Sequence, residues 1–149
     1  MDQKKITNML LVILPLVAVV LAGMANAVTV CVVSETETVT TYCSFFTLVE
    51  DVQLAICLPV AGLCGAVVFG MAVLYLVKKT TFWLTGITVT AAASMTLAVL
   101  PIVYRTGTYL LPNMWVPILM MVEAMIAYGV LKSPVPEEEK KTKAKLLRK

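Results

Sequence analysis

Histidine is missing altogether, tryptophan appears only twice, and charged residues make up just 14% of the 149-residue chain. Charge is also unevenly spread: residues 6–34, 52–77 and 80–104 contain none, and 106–131 contain only Glu123. Cysteine is limited to Cys31, Cys43, Cys57 and Cys64, with no C-x-x-C pair. Without histidine, and with cysteines so spread, neither a conventional zinc site nor any other metal site is expected. No glycine-rich phosphate loop, paired catalytic carboxylates or nucleophile–base motif is present, so no cofactor and no enzymatic activity are expected. What the chain has in abundance is apolar sequence, 60% of all residues. Soluble domains average about 45–50% apolar, and a chain this small could not hide the excess. An ordinary soluble enzyme, a nucleic-acid-binding module and a disordered chain are all excluded.

The uncharged runs divide the chain into four candidate spans, at about 6–30, 52–77, 82–104 and 113–132. A helix of roughly 20 apolar residues crosses the hydrocarbon core, and it satisfies its own backbone groups there. The expected fold is an all-α integral membrane protein: a four-helix transmembrane domain over 1–132, followed by a basic tail over 133–149. With the N-terminus inside, eleven of the twelve Lys and Arg residues lie on the cytoplasmic side and only Arg105 lies outside. The positive-inside rule therefore places both termini in the cytoplasm, with the plasma membrane as the expected location. Aromatic residues flank the spans accordingly, Tyr75 and Trp83 near one interface and Tyr104, Tyr109 and Trp115 near the other. A second reading of the start stays open. Lys4-Lys5, an apolar run and Ala25-Asn26-Ala27 also fit a signal peptide cleaved before Val28.

Residues 28–46 have a different composition. Val28–Val33 and Val39–Cys43 are rich in β-branched and aromatic residues, and Ser-Glu-Thr-Glu-Thr lies between them. This pattern predicts a short extracytoplasmic β-hairpin between the first two helices. A turn centred on Glu37 would set Cys31 opposite Cys43, in position for a disulfide. A four-span chain with a β-rich first outer loop and two cysteines is similar in architecture to the claudin-like tetraspans. Their tryptophan-rich signature has no counterpart here, since this loop contains no Trp. Quinone-coupled thiol oxidases of four helices carry a C-x-x-C pair that this chain lacks.

Within the spans, Gly62, Ala66 and Gly70 recur every four residues, a small-residue face on which helices approach closely. Glu123 lies near the middle of the fourth span. An ionised carboxylate is costly there, so it should face the bundle or a wet cavity, or be protonated. Antiparallel geometry predicts Cys64, Ser94 and Thr90 at similar depth, with Ser94 or Thr90 as its hydrogen-bond partner. Small multidrug transporters, also short four-helix proteins, carry their essential intramembrane glutamate in the first helix rather than the fourth. The expected partners are the lipid bilayer, other membrane subunits or a second copy, and anionic headgroups at the basic tail, but no nucleic acid. The leading functional reading is a small membrane protein acting through helix–helix and outer-loop contacts, as in a subunit of a complex. A proton- or cation-coupled transporter or channel using Glu123 is the alternative, and a membrane thiol oxidoreductase is the third reading.

Overall fold

The computed structural model of the protein describes residues 3–33, 36–49, 55–103 and 108–133. The expectations placed on the tail after Ser133, and on Tyr104, Arg105 and the Tyr109 side chain, lie outside what is described. Four helices form: α1 (Gln3–Gly23), α2 (Cys57–Lys78), α3 (Thr81–Val103) and α4 (Trp115–Lys132). Each is long and apolar enough to cross a membrane. α1 packs against α2 and α4, and α3 packs against the same two, so the bundle is a square with α1 and α3 on one diagonal.

Small side chains fill about half of the buried helix positions. α1 turns Leu11, Pro15, Ala18 and Ala22 inward, and α3 turns Leu84, Ile87, Ala91, Ser94 and Ala98 inward. These spacings of three and four residues keep one seam facing the neighbouring helices. Large apolar residues such as Val20, Leu63, Val89 and Met125 are instead exposed. A soluble bundle would bury its bulky residues. Small residues at many inner positions, with bulky ones outside, form the arrangement that lets helices touch where lipid provides no hydrophobic drive between them. Several outward threonines satisfy their hydroxyls within their own helix. Thr88 Oγ1 donates to the Leu84 carbonyl and Thr96 Oγ1 to that of Ala92, both at 2.9 Å. Such bonds let a polar side chain sit on an apolar helix without an orphaned donor.

α1 ends earlier than the hydropathy suggested. It stops at Gly23, and two tight turns, Met24 N–H to Leu21 O and Ala27 N–H to Met24 O, redirect the chain. The β-branched residues that follow form β1 (Val28–Val33) rather than continuing the helix. β1 pairs antiparallel with β2 (Thr38–Cys43) and also with β3 (Thr108–Pro112), giving a three-stranded sheet in the order β2-β1-β3. The expected hairpin is therefore part of a larger element, because the connection between α3 and α4 supplies a third strand beside it. One backbone bond fastens this sheet to the bundle, Phe45 N–H donating to Ala22 O of α1 at 2.9 Å, while Asn113 N–H donating to Ala27 O at 2.7 Å extends the β1–β3 pairing by one step. Fully buried Phe45, Val28 and Leu110 fill the space between the sheet and the helix ends.

The register corrects the expectation about the cysteines. Cys31 pairs with Thr40, and Cys43 pairs with Val28. Side chains alternate between faces along a strand, and an odd offset of three residues puts Thr40 and Cys43 on opposite faces. Cys31 and Cys43 therefore point to opposite sides of the sheet, and both are free thiols. The turn lies closer to the N-terminal side than the composition implied, and that shift removes the disulfide geometry.

Candidate functional site

Glu123 is completely buried at the centre of α4, eight residues after Trp115 and nine before Lys132. The helix seam Val116, Met120, Glu123 and Ala127 faces the bundle, so the carboxyl is carried inward by the same periodicity that buries its apolar neighbours. Met120 and Ala127, one turn to either side, pack in an apolar cluster with Leu11, Val68, Ile87 and Ala91. Neither carboxyl oxygen has a hydrogen-bond partner among the described residues. A buried polar group left unpaired costs about 1–3 kcal/mol.

The expected partner is engaged elsewhere. Ser94 is buried on α3, and its hydroxyl donates to the Ala61 carbonyl of α2 at 2.9 Å. That bond ties α2 to α3, and no hydrogen bond joins Ser94 to Glu123. Thr90 and Cys64 are only half-buried. α2 begins at Cys57, five residues after the expected start, which moves the middle of the helix from Cys64 toward Val67 and Val68. The expected four-residue constellation thus resolves into an isolated acid and a separate interhelical bond. The gap beside Ser94, bounded by Ala18, Ala61, Gly65 and Met120, has no room for a water molecule and is not lined by Glu123.

The small-residue face on α2 is also divided. Gly62 is buried, and a Cβ there would lie 2.8 Å from the Phe46 ring. Ala66 is exposed, and a Cβ added at Gly70 would meet nothing within 4 Å. Close approach within the chain uses the neighbouring stripe Ala61, Gly65, Val68 and Ala72, where a Cβ on Gly65 would come 3.3 Å from Val19 of α1.

A second region of chemical interest is the free edge of the expected hairpin. β2 is an edge strand whose residues 38–42 are all exposed, with Val39 53% and Tyr42 66% accessible. The opposite edge strand, β3, lies against α3. β2 reads Thr-Val-Thr-Thr-Tyr-Cys, without the lysine or proline that commonly protects an open edge. Such an edge offers a row of backbone donors and acceptors to an incoming strand. Inside the sheet, Cys31 is buried, and burial pushes the Cys43 thiol above its ordinary value. Neither has the exposed, electropositive surroundings of a reactive cysteine. Among the described residues no group of three or more His, Cys, Asp or Glu side chains is placed to hold a metal ion.

Compared with known proteins, the chain matches no family model, no curated protein and no solved structure.

Proposed function

We propose that the chain is a small integral protein of the plasma membrane, with both termini cytoplasmic, that works by protein–protein contact rather than catalysis. The sheet then stands on the outer side, and an extended segment of a neighbouring membrane subunit adds to β2. The observation that carries this reading is the unprotected β2 edge, with its uncharged sequence and exposed Val39 and Tyr42. Exposed helix faces bearing Ala66 and Gly70 supply a second, intramembrane contact of the same kind. The eleven-to-one bias of basic residues supports the orientation.

The test places charge on the edge without touching the core. Val39→Lys with Tyr42→Lys should preserve helix content, since both side chains are exposed. The parent, extracted in mild detergent, is expected to run as a stoichiometric assembly, and the double variant as a single chain. A parent that is already monomeric, or a variant assembly of unchanged size, contradicts the proposal.

Buried, unpartnered Glu123 favours one second reading, a proton- or cation-coupled transporter. Its test is proteoliposome flux on parent and Glu123→Gln. Flux in the parent that disappears in a stably folded Gln variant supports transport, and equal behaviour of the two proteins ends it.

A further inference from the structure

The end of the bundle away from the sheet gathers the lysines. α1 and α3 begin there, and α2 and α4 end there. Between them lies an open cleft of about 490 Å³, lined on its polar side by Gln3, Lys4, Thr7, Asn8 and Lys79. A second hollow of about 470 Å³ adjoins it and shares Asn8, Leu76 and Lys79. Its other lining residues are Lys5, Met9, Val12 and Ile13 of α1. A cleft with lysines in its lining thus adjoins an open, mostly apolar hollow along α1.

Among the described residues, no acidic side chain stands at this end of the bundle to offset the positive charge. Lys4 and Lys5 occupy the first turn of α1, where the helix dipole is already positive and where no acidic residue stands. Asp2, which precedes the helix, lies outside the described residues. Lys78 and Lys132, by contrast, rest over aromatic rings, 6.0 Å from the centroid of Trp83 and 4.8 Å from that of Tyr128. Lys79 caps α2 in the left-handed conformation, with φ 47°. Glycine adopts that backbone at no steric cost and is the usual residue there. A lysine in its place accepts strain and sets an ammonium beside both hollows. The hydroxyls nearby are already committed, since Thr7 donates to Gln3 O and Ser133 to Gly129 O. Among the described residues, the lining donors without a hydrogen bond in the protein are the Lys4 and Lys79 ammonium groups and the Gln3 and Asn8 amides.

We infer that this cleft is a binding site for a phospholipid with an anionic headgroup. The phosphate sits among Lys4, Lys5 and Lys79, and an acyl chain lies in the trough formed by Met9, Val12, Ile13 and Leu76. Basic pockets between membrane helices recognise such headgroups, and the apolar trough is what separates a lipid from a free phosphate. The inference rests on the reading that the four helices span a membrane, but not on the β2 edge.

The experiment uses the full chain, reconstituted in bilayers of equal phosphatidylglycerol and phosphatidylcholine, extracted in mild detergent, and weighed intact with its retained lipids. The parent is expected to keep phosphatidylglycerol in preference to phosphatidylcholine. Lys4→Gln with Lys5→Gln and Lys79→Gly should lower that preference by about tenfold or more. Lys78→Gln with Lys132→Gln should leave it in place. Lys79→Gly alone separates binding from structure, because it relieves the left-handed strain and should weaken lipid retention without lowering thermal stability. No preference in the parent, equal loss in both multiple variants, or displacement of the lipid by excess glycerol phosphate would each overturn the inference. Protein that alkaline carbonate strips from the bilayer would overturn both the spanning reading and the site. Embedded protein that is indifferent to lipid overturns the site alone.

Discussion

The two ends of the bundle are built on opposite principles. At the sheet end, the backbone hydrogen bond from Phe45 to the last turn of α1 and the fully buried Phe45 ring lock the strands onto the helices. At the lysine end, lysines line an open cleft, and the last turns of α2 and α4 lean on cation–aromatic contacts. One end therefore presents a rigid ladder of directional backbone groups, suited to another protein strand. The other presents diffuse positive charge beside an apolar trough, suited to lipid. Between them the helix interior is uniformly apolar except for Ser94 and Glu123. Of these two, only Ser94 has a partner.

Removing the wedge at the sheet end should break this contrast most severely. Phe45→Ala vacates a fully buried ring site, and such truncations cost about 3–5 kcal/mol. Thermal unfolding should show that loss, with the sheet detaching before the helices. Unchanged stability would mean that the sheet is not anchored through Phe45. A smaller effect of opposite sign is expected in the middle of the bundle. Glu123→Met keeps the side chain's approximate volume and removes an acid with no partner. It should raise stability by about 1–3 kcal/mol, measured by denaturation in detergent micelles. A destabilised Met variant would show that the carboxyl is paired in the membrane. The gain in stability also sharpens the functional question, because an unpaired buried polar group that persists is a candidate for function rather than for folding.

The four helices were legible because charges punctuate apolar runs at Lys5, Lys78 and Lys132 and leave only one intruder, Glu123. Their ends were less so. Hydropathy alone cannot tell Val28–Val33 from the end of a span, and β-branching with the turn after Gly23 decides in favour of a strand. β3 escaped notice because Thr108–Pro112 is a short apolar stretch whose structure depends on pairing with β1, far away in sequence. Register was beyond composition for a related reason. The position of one turn decides whether Cys31 faces Thr40 or Cys43. For the candidate site, the depth and burial of Glu123 followed from its place in α4, but its lack of a partner did not. That depends on which way each side chain turns inside the bundle, and Ser94 turns toward the Ala61 carbonyl of α2.

The central claim, that β2 is paired with another chain in the membrane, is tested most directly by amide hydrogen exchange over residues 38–43. An open edge strand leaves its outward amides exposed to solvent, whereas an added strand protects them. Exchange should be measured on the protein in its native membrane and again on the single chain that the Val39→Lys, Tyr42→Lys variant gives in detergent. The account predicts slow exchange of this segment in the membrane and fast exchange in the single chain, with β1 protected in both. Equally fast exchange of 38–43 in the two preparations would contradict it.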